Sequence, residues 1–523
     1  MNAEPIAKKV AEPSPARLTQ IVILVPSGRS RAWTGRLAEA CRLRFELPVK
    51  LVRIAGRPVD PIPGEACQRL VFGTAHSELA GWIDTARLDL ADKLAWDRVL
   101  VVNATERDPR TLPAALSGAV VLSPVFHGRF AAEGLVRPLL RGETPHLAVV
   151  ATVEGKTTLL QEARLAMPER AVIGRALHLA FGRTLTLLQS AVEHELAGRS
   201  VSHPYPPPAP EGEALGLQIW PRLAGAGASK LARRLRTPFV RDEWWCVGVR
   251  PLAAGCPPAA LDLDPASFRM LESGPDRFYA DPFLLRSHGA TVLFFEDYDY
   301  HTNRGSISCV RVNRDGRLGP RANALTRPYH LSYPFVFVHD GTAYMIPESS
   351  ENRTIELYEA RGFPTDWRLR AVLMEDVDAS DTTLHFDPGA ELWWMFSAVA
   401  EPGGSSHDTL SIFWSQKLEG PWRPHAENPV KLDAAGARPA GPLLPWNGRL
   451  FRPAQDCAAT YGGGLTWCEV AELTPTTFRE EVVGRHGPGP GFDGVHTYGR
   501  AAGFEVVDFK RRRSRLSGRE RRP

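Results

Sequence analysis

Five residues able to do chemistry recur at near-constant spacing in the second half of the chain. Asp281, Tyr333, Asp381, Arg438 and His496 stand 52, 48, 57 and 58 residues apart. Each opens a segment of alternating apolar and polar residues. Further polar residues sit at matching places: Glu296 and Asp297 in the first segment, Glu348 (closing MIPE) in the second, Arg452, Gln455 and Asp456 in the fourth, and Tyr498 beside His496 in the fifth. Carboxylates gathered in one place bind hydroxyls, stabilise a cationic transition state or move protons, and these are the demands of sugar chemistry. A lone Asp before Pro also caps a turn, and a lone Glu at a strand end also forms an ion pair. The recurrence is what favours a shared site.

The segments themselves say how such residues could meet. Short alternating runs are punctuated by His288-Gly289, Asp315-Gly316, Asp340-Gly341 and Asn447-Gly448, which are turn dipeptides. Each repeat has room for about four strands, and a four-strand period of ~40–60 residues indicates a β-propeller. Five repeats imply five blades. The last repeat holds only one or two strands before the chain ends, so Trp244–Val249 is expected to complete it and remove an exposed edge. Innermost strands line a central channel, so residues opening each repeat converge there. The reading assigns Asp281, Glu348 and Asp381 as catalytic and Glu296, Tyr333, Arg438, Asp456, His496 and Tyr498 as substrate contacts. Trp393, Trp394 and Phe396 are expected between blades as core. No ligand spacing demands a metal or cofactor, although a carboxylate-rich channel is compatible with a divalent ion such as calcium.

The first half has a different rhythm. Gln20–Pro26, 51–54, 99–102, 119–122 and 147–151 are short apolar runs that read as strands. Residues 32–45, 158–166 and 171–196 carry helical spacing. This alternation favours an α/β domain with a parallel sheet. Four prolines within HPYPPP at 203–208 exclude a helix or central strand and read as a linker. The expected order is a disordered tail (1–17), an α/β domain (18–198), a Pro-rich linker (199–237), a propeller (238–512) and a basic tail (513–523).

Composition bounds the alternatives. The chain has 523 residues, 45 Gly and 45 Pro, and a formal charge of +4. Residues 510–523 alone hold eight Lys or Arg against Glu520, so no basic body remains to bind nucleic acid. That tail is expected to be solvated, with weak peripheral membrane contact as its alternative. Seven cysteines without a CxxC argue against a disulfide framework or a zinc site and fit a reducing, cytoplasmic setting. The first 17 residues lack the apolar core of a signal peptide, and no run of ~18 apolar residues suggests a membrane span. Gly155-Lys156-Thr157 resembles the end of a P-loop, but Val150 stands where the first glycine belongs.

Residues 244–513 resemble the propeller region of glucosamine inositolphosphorylceramide transferases. The likeness rests on FYADPFLL, VLFFEDYDY with GSIS, HLSYPFVF with YMIPES, DTTLHF with LWWMFS, GPWRPHAENPV, LFRPAQDCAATYGGG, and GVHTYG with VVDFKRRR. More distantly the pattern is similar to the five-bladed furanosidases of glycoside hydrolase family 43. That resemblance implies a general base at Asp281 (in Asp281-Pro282), a pKa-tuning role at Asp381, and a Glu as acid. No Glu fills the acid's place; Glu348 is the nearest acidic candidate and lies in another repeat, while Glu419 belongs to an outer strand. The first half resembles formyltransferase-type, Rossmann-like domains through GAVVLSPVFHGRFAAEG and RGETP. Leu122-Ser123-Pro124 stands in place of that family's Asn-x-His, which implies a degenerate copy.

These readings together describe a carbohydrate-active protein of cell-surface glycan or glycolipid biosynthesis. Its site would take a sugar or sugar nucleotide in the propeller funnel, by glycosyl transfer or glycosidase-like chemistry. The alternatives are a non-catalytic glycan-binding module partnering a glycosyltransferase and, second, a formyl or acyl transferase.

Overall fold

The computed structural model describes residues 18–54, 79–85, 99–167 (except 117), 173–199, 203–205 and 240–514 (except 254 and 402–403), together with 59, 225 and 232. The expected tail at 1–17, most of the Pro-rich linker and residues 515–523 lie outside these. The chain divides into two units. One comprises 1–138, 145–162 and 172–216; the other comprises 139–144, 163–171 and 217–523.

The second unit is a ring of five sheets, as expected. Blade I is built from Arg277–Ser287, Ala290–Asp299, Arg304–Arg311 and Ala322–Leu325. Blade II uses Ser332–His339, Thr342–Ser349, Thr354–Gly362 and Asp366–Glu375. Blade III uses Ala379–Asp387, Leu392–Val399, Thr409–Ser415 and the short Arg423–Pro424, with Lys431–Leu432 also on its third strand. Blade IV uses Leu444–Trp446, Arg449–Asp456, Gly464–Leu473 and Phe478–His486.

Blade V closes the ring with strands from both ends of the unit. Tyr498–Ala501 and Phe504–Ser514 supply its inner pair, and Val240–Pro251 and Arg269–Leu271 its outer pair. The expected contribution of 244–249 is therefore met. The first basic residues of the C-terminal run are part of this blade. Lys510 through Ser514 continue the strand, because Arg511 and Arg513 lie over the buried Trp244 ring, at 4.9 and 4.3 Å, and gain packing there.

Local chemistry explains the hairpins. In blades I, II, IV and V the first two strands meet at two residues with positive φ: His288-Gly289, Asp340-Gly341, Asn447-Gly448 and Ala502-Gly503. This is the left-handed turn whose twist suits antiparallel strands. Apolar clusters then fill the gaps between blades. Leu284, Leu293 and Val310 of blade I meet Val247 and Val506 of blade V. Trp394 and Phe396 of blade III pack toward blade IV, and Trp393 faces blade II, so all three aromatics are core as expected.

The first unit holds a seven-stranded sheet, with order Val49–Ile54, Gln20–Pro26, Val99–Asn103, Val120–Phe126, His146–Val153, Lys156–Arg164 and His203–Pro204. The first four are parallel neighbours, as the alternation suggested. From Val120–Phe126 onward the pairing turns antiparallel, so the sheet is mixed rather than parallel. The helix expected at 158–166 is instead the strand Lys156–Arg164. Glu154 and Gly155 both adopt positive φ and fold the chain back on His146–Val153, and a turn of that hand overrides the helical spacing. The same turn consumes Gly155, which removes the P-loop resemblance. Helices Trp33–Arg44 and Ile173–Leu196 stack through Trp33 and Phe181, whose ring centroids are 6.1 Å apart. Among the described residues no helix is long and apolar enough to cross a membrane, and the six described cysteines are all free.

Candidate functional site

The innermost strands of blades I, II and III each begin with the same irregularity. Their pairing slips between Ala280 and Phe283, between Ser332 and Phe335, and between Ser380 and Thr383. At each slip one residue adopts a positive φ: Asp281 (52°), Tyr333 (42°) and Asp381 (54°). A bulge re-aims the side chain that would otherwise alternate along the strand. Non-glycine residues in this conformation carry strain that the surroundings must hold. Three equivalent bulges thus turn two carboxylates and a phenol toward the ring's hub.

Asp281 is buried in a net drawn from blades I, II and V. Its Oδ1 accepts a hydrogen bond from Thr497 Oγ1 at 2.7 Å, and its Oδ2 one from the Tyr333 N–H at 3.3 Å. Its own N–H donates to Asp508 Oδ2 at 3.0 Å. His496 Nε2 lies 3.7 Å from Asp281 Oδ1, while its Nδ1 lies 2.5 Å from Asp508 Oδ2. The imidazole is stacked on Trp245 at 3.9 Å and meets the Tyr461 ring edge-on at 5.3 Å. Asp508 also accepts the N–H groups of His496 and Thr497, both at 2.9 Å.

Asp381 anchors the other side. Its Oδ2 accepts from Arg438 Nε at 2.5 Å and Gln455 Nε2 at 2.7 Å, and its N–H donates to Glu348 Oε2 at 3.1 Å. Arg438 Nη2 lies 3.7 Å from the same Glu348 oxygen, so one guanidinium joins the two carboxylates. Arg438 also reaches Ser406 Oγ and His407 Nδ1, at 3.1 and 3.0 Å. The Tyr333 hydroxyl sits between blades, 2.9 Å from Thr383 Oγ1, and accepts the Gly441 N–H at 2.6 Å.

The electrostatics follow from burial. Desolvation pushes the Asp281 carboxyl up to about 6; the His496 charge opposes this and the Asp381 and Asp508 charges add to it. Asp381 is pushed up to about 7 by burial, against the pull of Arg438 and with the push of Glu348. Glu296 is raised well above the ordinary range by burial and by the Asp281, Glu348 and Asp508 charges; its Oε1 lies 3.4 Å from His330 Nε2. Burial acts to strip the proton from His496, but Asp508 and Asp281 outweigh it and hold the imidazole above its usual value. His407 falls to about 3 through burial and the neighbouring Arg438.

The arrangement brings Asp281, Tyr333, Glu348, Asp381, Arg438 and His496 into one network, with Glu296 coupled to it through charge and bonded to His330. Two expected contacts stand apart. The Tyr498 ring packs on Trp467 at 5.4 Å in the core between blades IV and V, and its hydroxyl bonds Glu505 at 2.8 Å, because strand alternation turns it away from its neighbour Thr497. Asp456 holds the Ala458 N–H at 3.0 Å and faces Arg485 at 3.6 Å, at the end of its strand. Asp297 is spent on Arg277, Arg321 and Ser308, and Arg452 on Glu480. Sequence reasoning missed Asp508, Thr497, Trp245, Tyr461 and His407. Asp508 carried a signal: one acid inside the apolar run VVDF must find a partner.

Asp281, His496 and Asp508 offer ligand atoms within 4.8 Å of one another, enough to begin a cation site. Two carboxylates and an imidazole fall short of the roughly six to eight oxygens that calcium takes. In the first unit Ser123 is buried in its strand, and its Oγ accepts from Asn103 Nδ2 at 3.1 Å; the Leu122-Ser123-Pro124 step is therefore packed into the sheet.

Residues 259–486 match the protein family described as glucosamine inositolphosphorylceramide transferase 1, N-terminal. The expected likeness of the propeller half is thereby met; the match does not reach the first half. The chain is 34% identical over 213 residues to glucosamine inositolphosphorylceramide transferase 1 of Oryza sativa subsp. japonica, and 32% identical over 212 residues to that of Arabidopsis thaliana. Each alignment covers 40% of this chain and only 28% of the relative. Among solved structures, a family 117 glycoside hydrolase (Zg3597) from Zobellia galactanivorans aligns with TM-score 0.33 and 11% identity, over 51% of this chain and 90% of that one. An exo-β-1,3-galactanase from Clostridium thermocellum aligns with TM-score 0.33 and 12% identity, over 46% and 60%.

Proposed function

We propose that this chain is a carbohydrate-active protein of glycolipid or cell-surface glycan assembly, with its saccharide site at the propeller hub. The observation that carries the reading is the trio of equivalent bulges, which deliver Asp281, Tyr333 and Asp381 from three blades into one buried network with Glu348, Arg438 and His496. Structural packing alone does not call for strained backbone at three matching places. The family match supports the glycolipid context.

Glycosyl transfer and glycoside hydrolysis share two needs: a carboxylate that takes a proton from the attacking hydroxyl, and negative charge near an oxocarbenium-like centre. Asp281, poised near neutrality, takes the proton. Asp381 and Glu348 share the Arg438 guanidinium and set the charge opposite. Trp245 and Tyr461 hold His496 in a fixed orientation beside Asp281. The test is turnover of nucleotide sugars and glycosides by the whole chain and by Asp281→Asn. Loss of ~10³-fold in turnover with saccharide binding retained supports the mechanism. An undiminished Asp281→Asn protein removes it.

A second reading, a glycan-binding module that works beside a glycosyltransferase, is favoured by one feature. Asp381 already spends one oxygen on both Arg438 and Gln455, which is a holding arrangement. Saccharide binding without turnover, abolished by Asp281→Ala with Glu348→Ala, would select it.

A further inference from the structure

A second polar recess lies at the other end of blade I. Arg286 is five residues beyond Asp281 on the same strand, about 16 Å at ~3.3 Å per residue. Here the positive-φ turns His288-Gly289 of blade I and Ala502-Gly503 of blade V flank an open groove of about 480 Å³. Arg286, Thr291, Asn313 and Arg314 contribute its polar side chains, Phe504 packs along one wall, and Arg311 borders it. Arg286 pairs across the ladder with Thr291, so both project from one face of the blade, the face that meets blade V; strand alternation sends Arg311 to the other face. Arg314 and Asn313 arrive from the turn that follows the third strand.

The charge of this groove is one-sided. No carboxylate lines it. Arg286 and Arg314 form no ion pair, and Thr291 and Asn313 form no side-chain hydrogen bond, within the described residues. Two arginines close by are neutralised, Arg250 by Glu505 at 2.5 Å and Arg317 by Asp315 at 3.1 Å, while Arg311 at the border adds a further positive charge. Counter-charges are thus used close by and withheld here. Guanidinium forks with a hydroxyl and an amide beside them are suited to phosphate oxygens.

We propose that this groove binds a phosphate ester, as the free phosphorylated compound or as a lipid headgroup. The site is separate from the hub and does not depend on the saccharide reading. The experiment uses the full chain at low salt, with calorimetric titration of glycerol 3-phosphate and glucose 1-phosphate, and co-sedimentation with vesicles of phosphatidylcholine containing phosphatidic acid. Arg286→Glu/Arg314→Glu is compared with Lys417→Glu, an exposed charge reversal on blade III, and thermal melting verifies that each variant is folded. A drop in affinity of tenfold or more in the double variant, with Lys417→Glu unchanged, supports the site. Loss with soluble phosphates identifies a free ligand, and loss confined to vesicles identifies a headgroup. Equal binding by all three proteins, or no binding by the unaltered chain to either probe, overturns it. Thr291→Ala/Asn313→Ala, which leaves the charge intact, is expected to weaken binding by about threefold and guards against a purely long-range charge effect.

Discussion

The hub carboxyls give the most direct residue-scale prediction. Asp281 and Asp381 titrate near 6 and 7 in the fold against an ordinary value of 3.8, and Glu296 and His496 are also shifted upward. A group whose folded pKa is raised contributes stability that is complete below its unfolded pKa and is lost as pH rises through the folded one. All four act in the same sense. The two aspartates therefore withdraw stability between about pH 4 and pH 7, whereas His407, held down at about 3, withdraws it as pH falls below 6.5, so the carboxyls' share is read as the difference in urea midpoint between the parent and a carboxamide variant at each pH. Asp281→Asn keeps the shape and a hydrogen-bonding amide but removes the desolvated charge. Relative to the parent it should gain on the order of 1–3 kcal/mol at pH 8, about half of that at pH 5 and little at pH 3. An unchanged pH dependence in that variant would remove Asp281 from the account. Stability gained at the expense of activity is the pattern expected of a functional carboxylate.

At the scale of elements, closure of the ring depends on a backbone contact that only glycine permits. Gly441 has φ +135°, and a Cβ there would stand 1.9 Å from the Tyr498 carbonyl oxygen. Its N–H holds the Tyr333 hydroxyl, and the Tyr498 N–H bonds the neighbouring Ala440 carbonyl at 2.8 Å. Blades II, IV and V thus meet at one point. Gly441→Ala should force these strands apart and cost several kcal/mol, read as a fall in melting temperature of roughly 5 °C or more. Glycines in the exposed turns, such as Gly448, should cost less when replaced, because nothing lies within 4 Å of a Cβ there. If Gly441→Ala and Gly448→Ala melt alike, the close approach is not the determinant.

At the scale of the whole molecule, the propeller unit is not a simple C-terminal half. Residues 139–144 and 163–171 belong to it by contact. Within that unit Arg164 pairs with Asp433 at 2.6 Å, and the Ala166 N–H donates to Asp408 at 3.1 Å. A fragment cut at 240–514 keeps every strand of the five blades yet loses these bonds. Its unfolding transition is expected several degrees below that of the propeller in the intact chain, as calorimetry would show. Coincident transitions would mean that the two segments contribute nothing.

The blades were readable from the chain because their causes are local. Alternation and left-handed turn pairs at 288–289, 340–341 and 447–448 act within a few residues, and a repeated unit announces itself by its period. The positions opening the blades were readable for the same reason, and so Asp281, Tyr333, Asp381, Arg438 and His496 were found together. Lys156–Arg164 was misread because its apolar spacing suits either element and the preceding turn decides. Tyr498 and Asp456 face away from the hub because of the alternation and the strand end at their own positions, whereas Asp508 and Trp245 were overlooked because the residues they meet, Asp281 and His496 respectively, stand hundreds of residues away in the chain. Only closure of the ring sets Asp508 against His496, puts one guanidinium between Asp381 and Glu348, and buries Asp281 and Asp381 until their carboxyls are raised toward neutrality. Desolvation and cross-blade pairing are properties of the assembled packing, and no local pattern contains them.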